Sequence, residues 1–295
     1  MTRILDSLDE VFGRYDAAFV DLWGCLHNGY EPYALALAAL SRWRDNGGKV
    51  VLLTNSPRPR AAVIHQLEKI GVPAGLYDDI AASGDASQFS LAAGDVGSKV
   101  YHLGPERDRG FFQDLPHFPN GPDQISLVSL DQAEGIVCTG LFDDETETPE
   151  DYRATLLYAK TKGMRLLCTN PDIIVDKGDK RIYCAGALAR LYSDMGGESL
   201  LFGKPYPAIY DLARKRLAAI AVIADQRILC IGDGINTDIQ GAMAEDLDSL
   251  FITGGLAAAE TGTGLGETDQ PEPEKLTKYL GKRQLSPTYA MGHLR

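Results

Sequence analysis

The sequence lacks a long apolar run, has few cysteines and contains fewer basic than acidic residues. No stretch approaches the ~20 consecutive apolar residues that a membrane-spanning helix needs, and the N-terminal segment has no signal-peptide apolar core. Only five of the 295 residues are cysteine, and no two are spaced as C-x-x-C. We therefore expect a cytoplasmic protein with buried, reduced thiols, and neither a membrane protein nor one stabilised by disulfides or structural zinc.

The charge balance limits the partners that the protein can have. Lys and Arg total 29 against 41 Asp and Glu, so the formal net charge is −12. This balance argues against nucleic acid or an anionic membrane as the main partner. An anionic small molecule remains open as a substrate, provided that a cation or fixed hydrogen-bond donors oppose the overall charge at its site.

Short apolar runs alternate with helical patterns along most of the chain. The runs at 17–21, 49–53 and 228–231 are nearly continuous in apolar character. Such strands are buried on both faces, which is typical of a parallel sheet between two helix layers. The pattern therefore predicts an α/β protein with a doubly wound sheet. The segment 81–125 is rich in Gly, Pro and Asp, and we expect the chain to leave the first folding unit there.

Polar side chains follow several of the predicted strands. They are Asp21, Thr54 with Asn55, Lys204, and Asp233 followed by Asp238. In open parallel sheets, ligands bind at the carboxyl ends of strands. We therefore expect these side chains to converge on one point. Each alone could be an ordinary turn or helix-capping residue, and the interpretation depends on the whole set in this order.

The chemistry of the set suits a phosphoryl group bound with magnesium. Asp21 and Asp233 offer the hard oxygen ligands that Mg²⁺ prefers. Lys204 supplies a point charge to a phosphate, and Thr54 with the following N–H groups can cradle it. An aspartate can also act as a covalent nucleophile and form an aspartyl-phosphate.

Four motifs together resemble those of the haloacid dehalogenase (HAD) superfamily, and within it class IIA. They are Asp21-Leu22-Trp23-Gly24-Cys25-Leu26 with Asn28-Gly29 soon after, Leu53-Thr54-Asn55, Gly203-Lys204-Pro205, and Gly232-Asp233 through Thr237-Asp238-Ile239. A fifth segment, Cys168-Thr169-Asn170-Pro171-Asp172, is similar to the T-N-P-D segment of the class IIA cap. The resemblance spans roughly residues 16–255.

The resemblance implies an architecture and an activity. It implies a Rossmann-like core, residues 1–83 and 200–295, interrupted by an α/β cap of the C2 type at 84–199 that carries substrate selectivity. It also implies a Mg²⁺-dependent phosphoric monoester hydrolase that acts on a small phosphorylated metabolite. Caps of this class often dimerise, so a homodimer is one open alternative for the oligomeric state. Thr169, Asn170 and Asp172 would face the substrate from the cap, although an ordinary strand-to-turn connection is the alternative for that loop.

The same resemblance assigns roles to the core residues. Asp21 and Lys204 would be catalytic, and Thr54, Asn55 and Lys204 would bind phosphate. The metal would be held by Asp21, the backbone carbonyl of Trp23 and Asp233. Asp238 would not bind the metal itself but would orient either the lysine or a water on the metal.

Trp23 departs from the family pattern. Phosphatases of this superfamily have an aspartate there, which protonates the leaving oxygen and then activates water, whereas indole exchanges no proton near neutral pH. Three accounts are open. The enzyme is slow or restricted to leaving groups that need no proton, such as aryl or acyl phosphates; His27 substitutes as the acid/base; or the chain is a weak or inactive phosphate-ligand-binding or regulatory protein on the same fold.

Overall fold

The computed structural model describes residues 2–178 and 180–295. Its strands are β1 (Arg3–Ile4), β2 (Ala17–Val20), β3 (Lys49–Thr54), β4 (Asp79–Ala82), β5 (Lys99–Leu103), β6 (Ser126–Leu127), β7 (Gly135–Cys138), β8 (Arg165–Cys168), β9 (Ile174–Lys177), β10 (Lys180–Tyr183), β11 (Glu198–Leu201), β12 (Ile228–Gly232), β13 (Asp248–Ile252) and β14 (Tyr289–Met291).

The α-helices lie between these strands and after them. They are α1 (Ala34–Asp45), α2 (Arg60–Ile70), α3 (Ser83–Ala93), α4 (Arg153–Thr161), α5 (Ala185–Asp194), α6 (Pro207–Ala218), α7 (Gln240–Ala244), α8 (Ala258–Thr261) and α9 (Pro273–Arg283). Among the described residues, none of the helices combines the length and apolar character needed to cross a membrane.

The larger sheet has seven strands in the order β1-β14-β13-β12-β2-β3-β4, and every neighbouring pair is parallel. Alternate residues of β2 pack in two different apolar clusters, one on each face of the sheet. Ala18 and Val20 pack in one cluster, while Ala17 and Phe19 pack in the other. Both faces of the sheet are thus covered, which explains the continuous apolar runs and confirms the doubly wound α/β class.

The second sheet has five parallel strands in the order β11-β8-β7-β5-β6. The antiparallel hairpin β9–β10 lies between β8 and β11 in the sequence. The core of the five-stranded sheet includes Ile136, Leu166 and Leu188 on one face, and Val137 and Leu167 on the other. The segment 99–201 therefore builds a parallel α/β unit of its own, inserted in sequence between β4 and β12 of the first sheet.

The edges of the inserted unit differ slightly from the predicted boundaries of 84 and 199. Residue 84 lies inside α3, which packs Ala86 in a cluster of the first sheet and Leu91 in a cluster of the second. Residue 199 lies inside β11, whose four residues pair with β8. The second sheet therefore extends to Leu201, because backbone pairing with β8 holds that strand.

Two segments with little sequence signal are ordered parts of the fold. The tail after Leu285 contains β14, which pairs with β1 on one side and β13 on the other. The segment 81–125, where we expected the chain to leave the first folding unit, contains all of α3 and β5. Long-range pairing and packing stabilise these segments, and local periodicity does not report either one.

The two clusters of the second sheet generate a stability prediction. Leu188 on α5 is fully buried, whereas Leu157 on α4 is half exposed at 50%. We expect Leu188→Ala to lower the free energy of unfolding by about 2–5 kcal/mol, because it leaves a cavity in packed core. Leu157→Ala is the matched control and should stay within about 0.5 kcal/mol of the parent. Urea denaturation of both variants measures this, and equal effects would contradict the assignment of this core.

Candidate active site

A buried ammonium group joins two of the predicted strand-end carboxylates. Lys204 Nζ donates to Asp21 Oδ1 at 2.6 Å and to Asp238 Oδ1 at 2.7 Å, and Lys204 is only 2% exposed. Asp21 directly follows β2, while Asp238 lies in a single π-helical turn, Ile235–Ile239, after β12. The other oxygen of Asp238 accepts from the N–H of Gly234 at 3.2 Å. Asp238 therefore contacts the lysine directly, as one of the two alternatives that the sequence left open requires.

A second carboxylate faces Asp21 across the site. Oxygen atoms of Asp21 and Asp233 and the Sγ of Cys25 all lie within 4.8 Å of one another. Two glycines make room for the Asp233 carboxylate, since a Cβ on Gly24 would lie 2.2 Å from its Oδ2 and a Cβ on Gly255 only 2.0 Å. The site is therefore an oxygen-rich cradle of the kind that suits a hard divalent cation.

The electrostatics of the site show how much negative charge is crowded there. Burial, with the Asp238 carboxylate, raises the pKa of Asp21 to about 7, although Lys204 opposes the change. Burial and Asp21 raise the pKa of Asp233 well above its ordinary range. Burial alone would lower the pKa of the Lys204 ammonium, but Asp21 and Asp238 raise it overall. A bound cation would allow Asp21 and Asp233 to be ionised together.

Asn55 fastens the lysine segment to the end of β3. Its Oδ1 accepts from the Lys204 N–H at 2.7 Å, and its Nδ2 donates to the Lys204 carbonyl at 3.1 Å and to Asp172 Oδ1 at 2.9 Å. Thr54, the last residue of β3, accepts from the N–H of Ser56 at 3.1 Å. The structure therefore brings together six of the predicted core residues, namely Asp21, Thr54, Asn55, Lys204, Asp233 and Asp238.

A cavity of about 1210 Å³ lies between the two sheets and is lined by residues from both. Asn170 and Asp172 line it, and burial raises the pKa of Asp172 to about 6. Thr169 does not face the cavity, contrary to expectation. Its side chain is fully buried and donates to the Cys138 carbonyl at 3.1 Å, because the residue continues the hydrogen-bonding edge of β8 against β7. Thr169 therefore has a structural role.

Two features at or beside the site were missed at the sequence level. Thr139, which directly follows β7, lines the cavity and lies 2.9 Å from His102 Nε2 through its Oγ1. The signal that could have found it is the one used for Thr54, a hydroxyl residue directly after an apolar strand. Cys25 was grouped with the other buried thiols, although it lies only four residues beyond Asp21.

Trp23 forms part of the cavity wall, and His27 lies behind it. The indole packs edge-on against the His27 ring, with centroids 5.2 Å apart, and Gly29 leaves space for it, since a Cβ there would lie 2.4 Å from the indole. His27 is fully buried, its Nδ1 accepts from the Gly29 N–H at 3.0 Å, and its Nε2 contacts no hydrogen-bonding group in the described residues. Burial lowers its pKa to about 4. His27 therefore does not reach the cavity as an acid/base.

Comparisons with known proteins agree with this geometry. A haloacid dehalogenase-like hydrolase family model matches residues 18–115, and a HAD-hydrolase-like model matches residues 201–281. A solved hydrolase of the haloacid dehalogenase-like family from Brucella suis 1330 is 38% identical, covers 99% of this chain and 100% of that one, and superposes with a TM-score of 0.85. The chain belongs to the haloacid dehalogenase-like hydrolases. The predicted superfamily and its fold are thus confirmed.

Relatives of this HAD hydrolase are phosphatases. An acid sugar phosphatase from Staphylococcus haemolyticus is 30% identical over 259 residues, which cover 87% of this chain and 91% of the relative. A glycerol phosphate phosphatase from Mycobacterium tuberculosis, solved in complex with magnesium, is 22% identical, covers 97% of this chain and 77% of that one, and has a TM-score of 0.65. The relatives support the prediction of an enzyme of the phosphoric monoester hydrolase class.

The position of Thr169 in this HAD hydrolase can be tested by substitution. We expect Thr169→Val to lower the free energy of unfolding by about 0.5–1.5 kcal/mol, because one buried hydrogen bond is lost. Hydrolytic turnover should stay unchanged, since the side chain does not line the cavity. Asn170→Ala, at the adjacent cavity-lining residue, is the comparison and should lower kcat/KM. Urea denaturation and steady-state kinetics measure both effects, and a selective loss of turnover in Thr169→Val would contradict this placement.

Proposed function

We propose that this chain is a Mg²⁺-dependent phosphatase that acts on a small phosphorylated metabolite through an aspartyl-phosphate at Asp21. The observation that carries the proposal is the pair of buried carboxylates, Asp21 and Asp233, with oxygens within 4.8 Å of each other and Lys204 bonded to the first at 2.6 Å. A dianionic phosphate requires positive charge at this point, and Lys204 alone cannot balance two acids and a phosphate.

The residues fit a magnesium ion. The side chains of Asp21 and Asp233 supply hard oxygen donors, the glycines at 24 and 255 leave the second carboxylate its space, and the Trp23 carbonyl would be the third protein donor. When bound, Mg²⁺ would neutralise negative charge on the phosphoryl oxygens and orient the phosphate. Magnesium in a solved phosphatase of the same fold supports this choice of ion.

The chain's own residues would divide the reaction between them. A carboxylate oxygen of Asp21 attacks phosphorus, the bond to the leaving oxygen breaks, and that oxygen departs with the electron pair. Lys204 holds the nucleophile in place and, with Thr54, Asn55 and the following N–H groups, would bind the phosphoryl oxygens. Water then attacks the aspartyl-phosphate, which releases phosphate and restores Asp21.

The cavity wall would select the organic part of the substrate. Asn170 and Asp172 lie at the end of one strand of the second sheet, and Thr139 lies at the end of its neighbour. Asp172 also accepts from Asn55 at 2.9 Å, which connects the selecting wall directly to the phosphate-binding segment. We propose that the inserted unit is the cap that confers substrate selectivity, as the resemblance implies. The homodimer and the cytoplasmic location remain predictions.

The nucleophile and the metal give the first test of this function. We expect Asp21→Asn to abolish turnover of phosphate esters, and we expect the parent enzyme to lose turnover after chelation and to regain it with Mg²⁺. Asp211→Asn, at an aspartate on α6 whose side chain is 75% exposed, is the matched control and should keep parental activity. Turnover that survives Asp21→Asn, or that ignores chelation, would contradict the proposal.

Trp23 predicts an unusual dependence on the leaving group. With no acid at this position, hydrolysis should be confined to esters of acidic alcohols such as phenols. We expect Trp23→Asp to raise turnover of alkyl phosphates by about 10²–10⁴-fold, the usual contribution of general acid–base catalysis. Trp23→Phe removes the indole without adding a carboxyl group and should give no such gain. Rates for a series of esters with graded leaving-group pKa measure this effect, and equal behaviour of the two folded variants would argue against it.

A second candidate function rests on the same residue. Because Trp23 occupies the position of the family's acid/base, the chain would on this account bind a phosphorylated ligand without hydrolysing it. No ester would then be turned over by the parent protein, while a phosphorylated ligand would raise its Tm. The ester series therefore distinguishes the two functions.

A further inference from the structure

A thiol lies beside the two carboxylates of the metal site. Cys25 is 1% exposed and follows Gly24 in the turn after β2. Its Sγ lies within 4.8 Å of oxygen atoms of both Asp21 and Asp233. Gly24 has a φ of +74°, a conformation that favours glycine, and it brings the thiol and the Asp233 carboxylate together without a side chain between them.

The Asp233 carboxylate is a buried acid without a cation. It is 7% exposed and accepts the N–H of Leu256 on Oδ2 at 3.2 Å. Among residues 2–178 and 180–295 no Lys, Arg or His forms an ion pair with it, because the ammonium of Lys204 is bonded to Asp21 and Asp238. A carboxylate buried in this way requires a positive partner, and the partner must be a species that enters from the cavity.

We propose that Cys25 Sγ, with the carboxylates of Asp21 and Asp233, forms a ligand set for a thiophilic divalent cation such as Zn²⁺ or Cd²⁺, which competes with Mg²⁺ for this centre. Zinc binds Cys sulfur at about 2.3 Å and carboxylate oxygen at about 2.0–2.2 Å, so an ion held by all three atoms would draw them closer together than their present separation of up to 4.8 Å. The inference rests on the proposed function only in assigning Asp21 and Asp233 to a metal.

The soft sulfur donor of Cys25 determines which metal ions bind more tightly because of it. Mg²⁺ takes oxygen ligands and gains nothing from sulfur, whereas thiolate selects zinc and its heavier relatives. On binding, the metal–sulfur bond replaces the S–H bond of Cys25, and the proton passes to solvent. The bound ion would also occupy Asp21, so Zn²⁺ should inhibit a reaction that uses this aspartate as its nucleophile.

Cadmium titration of the full-length protein tests the inference without relying on activity. A thiolate bound to Cd²⁺ gives an ultraviolet sulfur-to-metal charge-transfer band. We expect one equivalent of Cd²⁺ to produce the band in the parent protein and excess Mg²⁺ to weaken it. Cys25→Ser should lose the band and weaken the Kd for Zn²⁺ by about tenfold or more, while the Kd for Mg²⁺ stays within about twofold.

Cys168→Ser is the matched control. It removes a fully buried thiol of the second sheet that lies in register with Cys138, and it should keep the band. If Cys25→Ser does not fold, Cys25→Ala repeats the test without burying a hydroxyl group. Asp233→Asn removes a carboxylate ligand of the same ion and should also lose the band. Circular dichroism confirms the fold of each variant.

Each outcome decides the matter. A parent protein without the band, or a band that persists in Cys25→Ser and in Cys25→Ala, overturns the inference, whatever Cys168→Ser shows. If Mg²⁺ binds to the parent protein and is lost in Asp233→Asn while Cd²⁺ gives no band, the thiol has no role and the proposed function stands. If neither ion binds, both the inference and the proposed metal site are wrong.

Discussion

The contact on which the site depends is the buried ammonium of Lys204 between the carboxylates of Asp21 and Asp238. Both partners are needed, because a buried charge left alone costs several kcal/mol. The lysine therefore fixes the distance between the end of β2 and the turn after β12. Asn55, bonded to the backbone of Lys204 on both its N–H and its carbonyl, adds the end of β3 to the same arrangement.

The charge distribution around this lysine explains how an acidic protein can bind an anion. The net charge is −12, and the site adds to it locally by holding oxygen atoms of Asp21 and Asp233 within 4.8 Å of each other. One lysine cannot neutralise these acids, and burial raises the pKa values of both carboxyls. A divalent cation would resolve the conflict and convert an acidic pocket into one that accepts a phosphate.

The carboxyl ends of the parallel strands of both sheets line the cavity. Parallel strands present their carboxyl ends at one edge of a sheet, and here the edges of two sheets face the same space. The first edge carries the nucleophile and the lysine, and the second carries Thr139 and Asn170. The hydrogen bond from Asn55 to Asp172 joins the two edges. Residues that would select the substrate are thereby held in a fixed relation to those that would bind its phosphate.

The amino-acid sequence alone determined the α/β class, the superfamily and the order of the polar strand ends, because continuous apolar strands and their terminal residues are local patterns. Tertiary structure decided which of those residues meet. Lys204 reaches Asp21 across 183 positions, and Thr169 turns away from the cavity because its hydroxyl has a closer partner in β7. The short strand β14 and the approach of Cys25 to Asp233 were likewise decided by packing. Side-chain direction and long-range pairing depend on the whole fold, and no local pattern reports them.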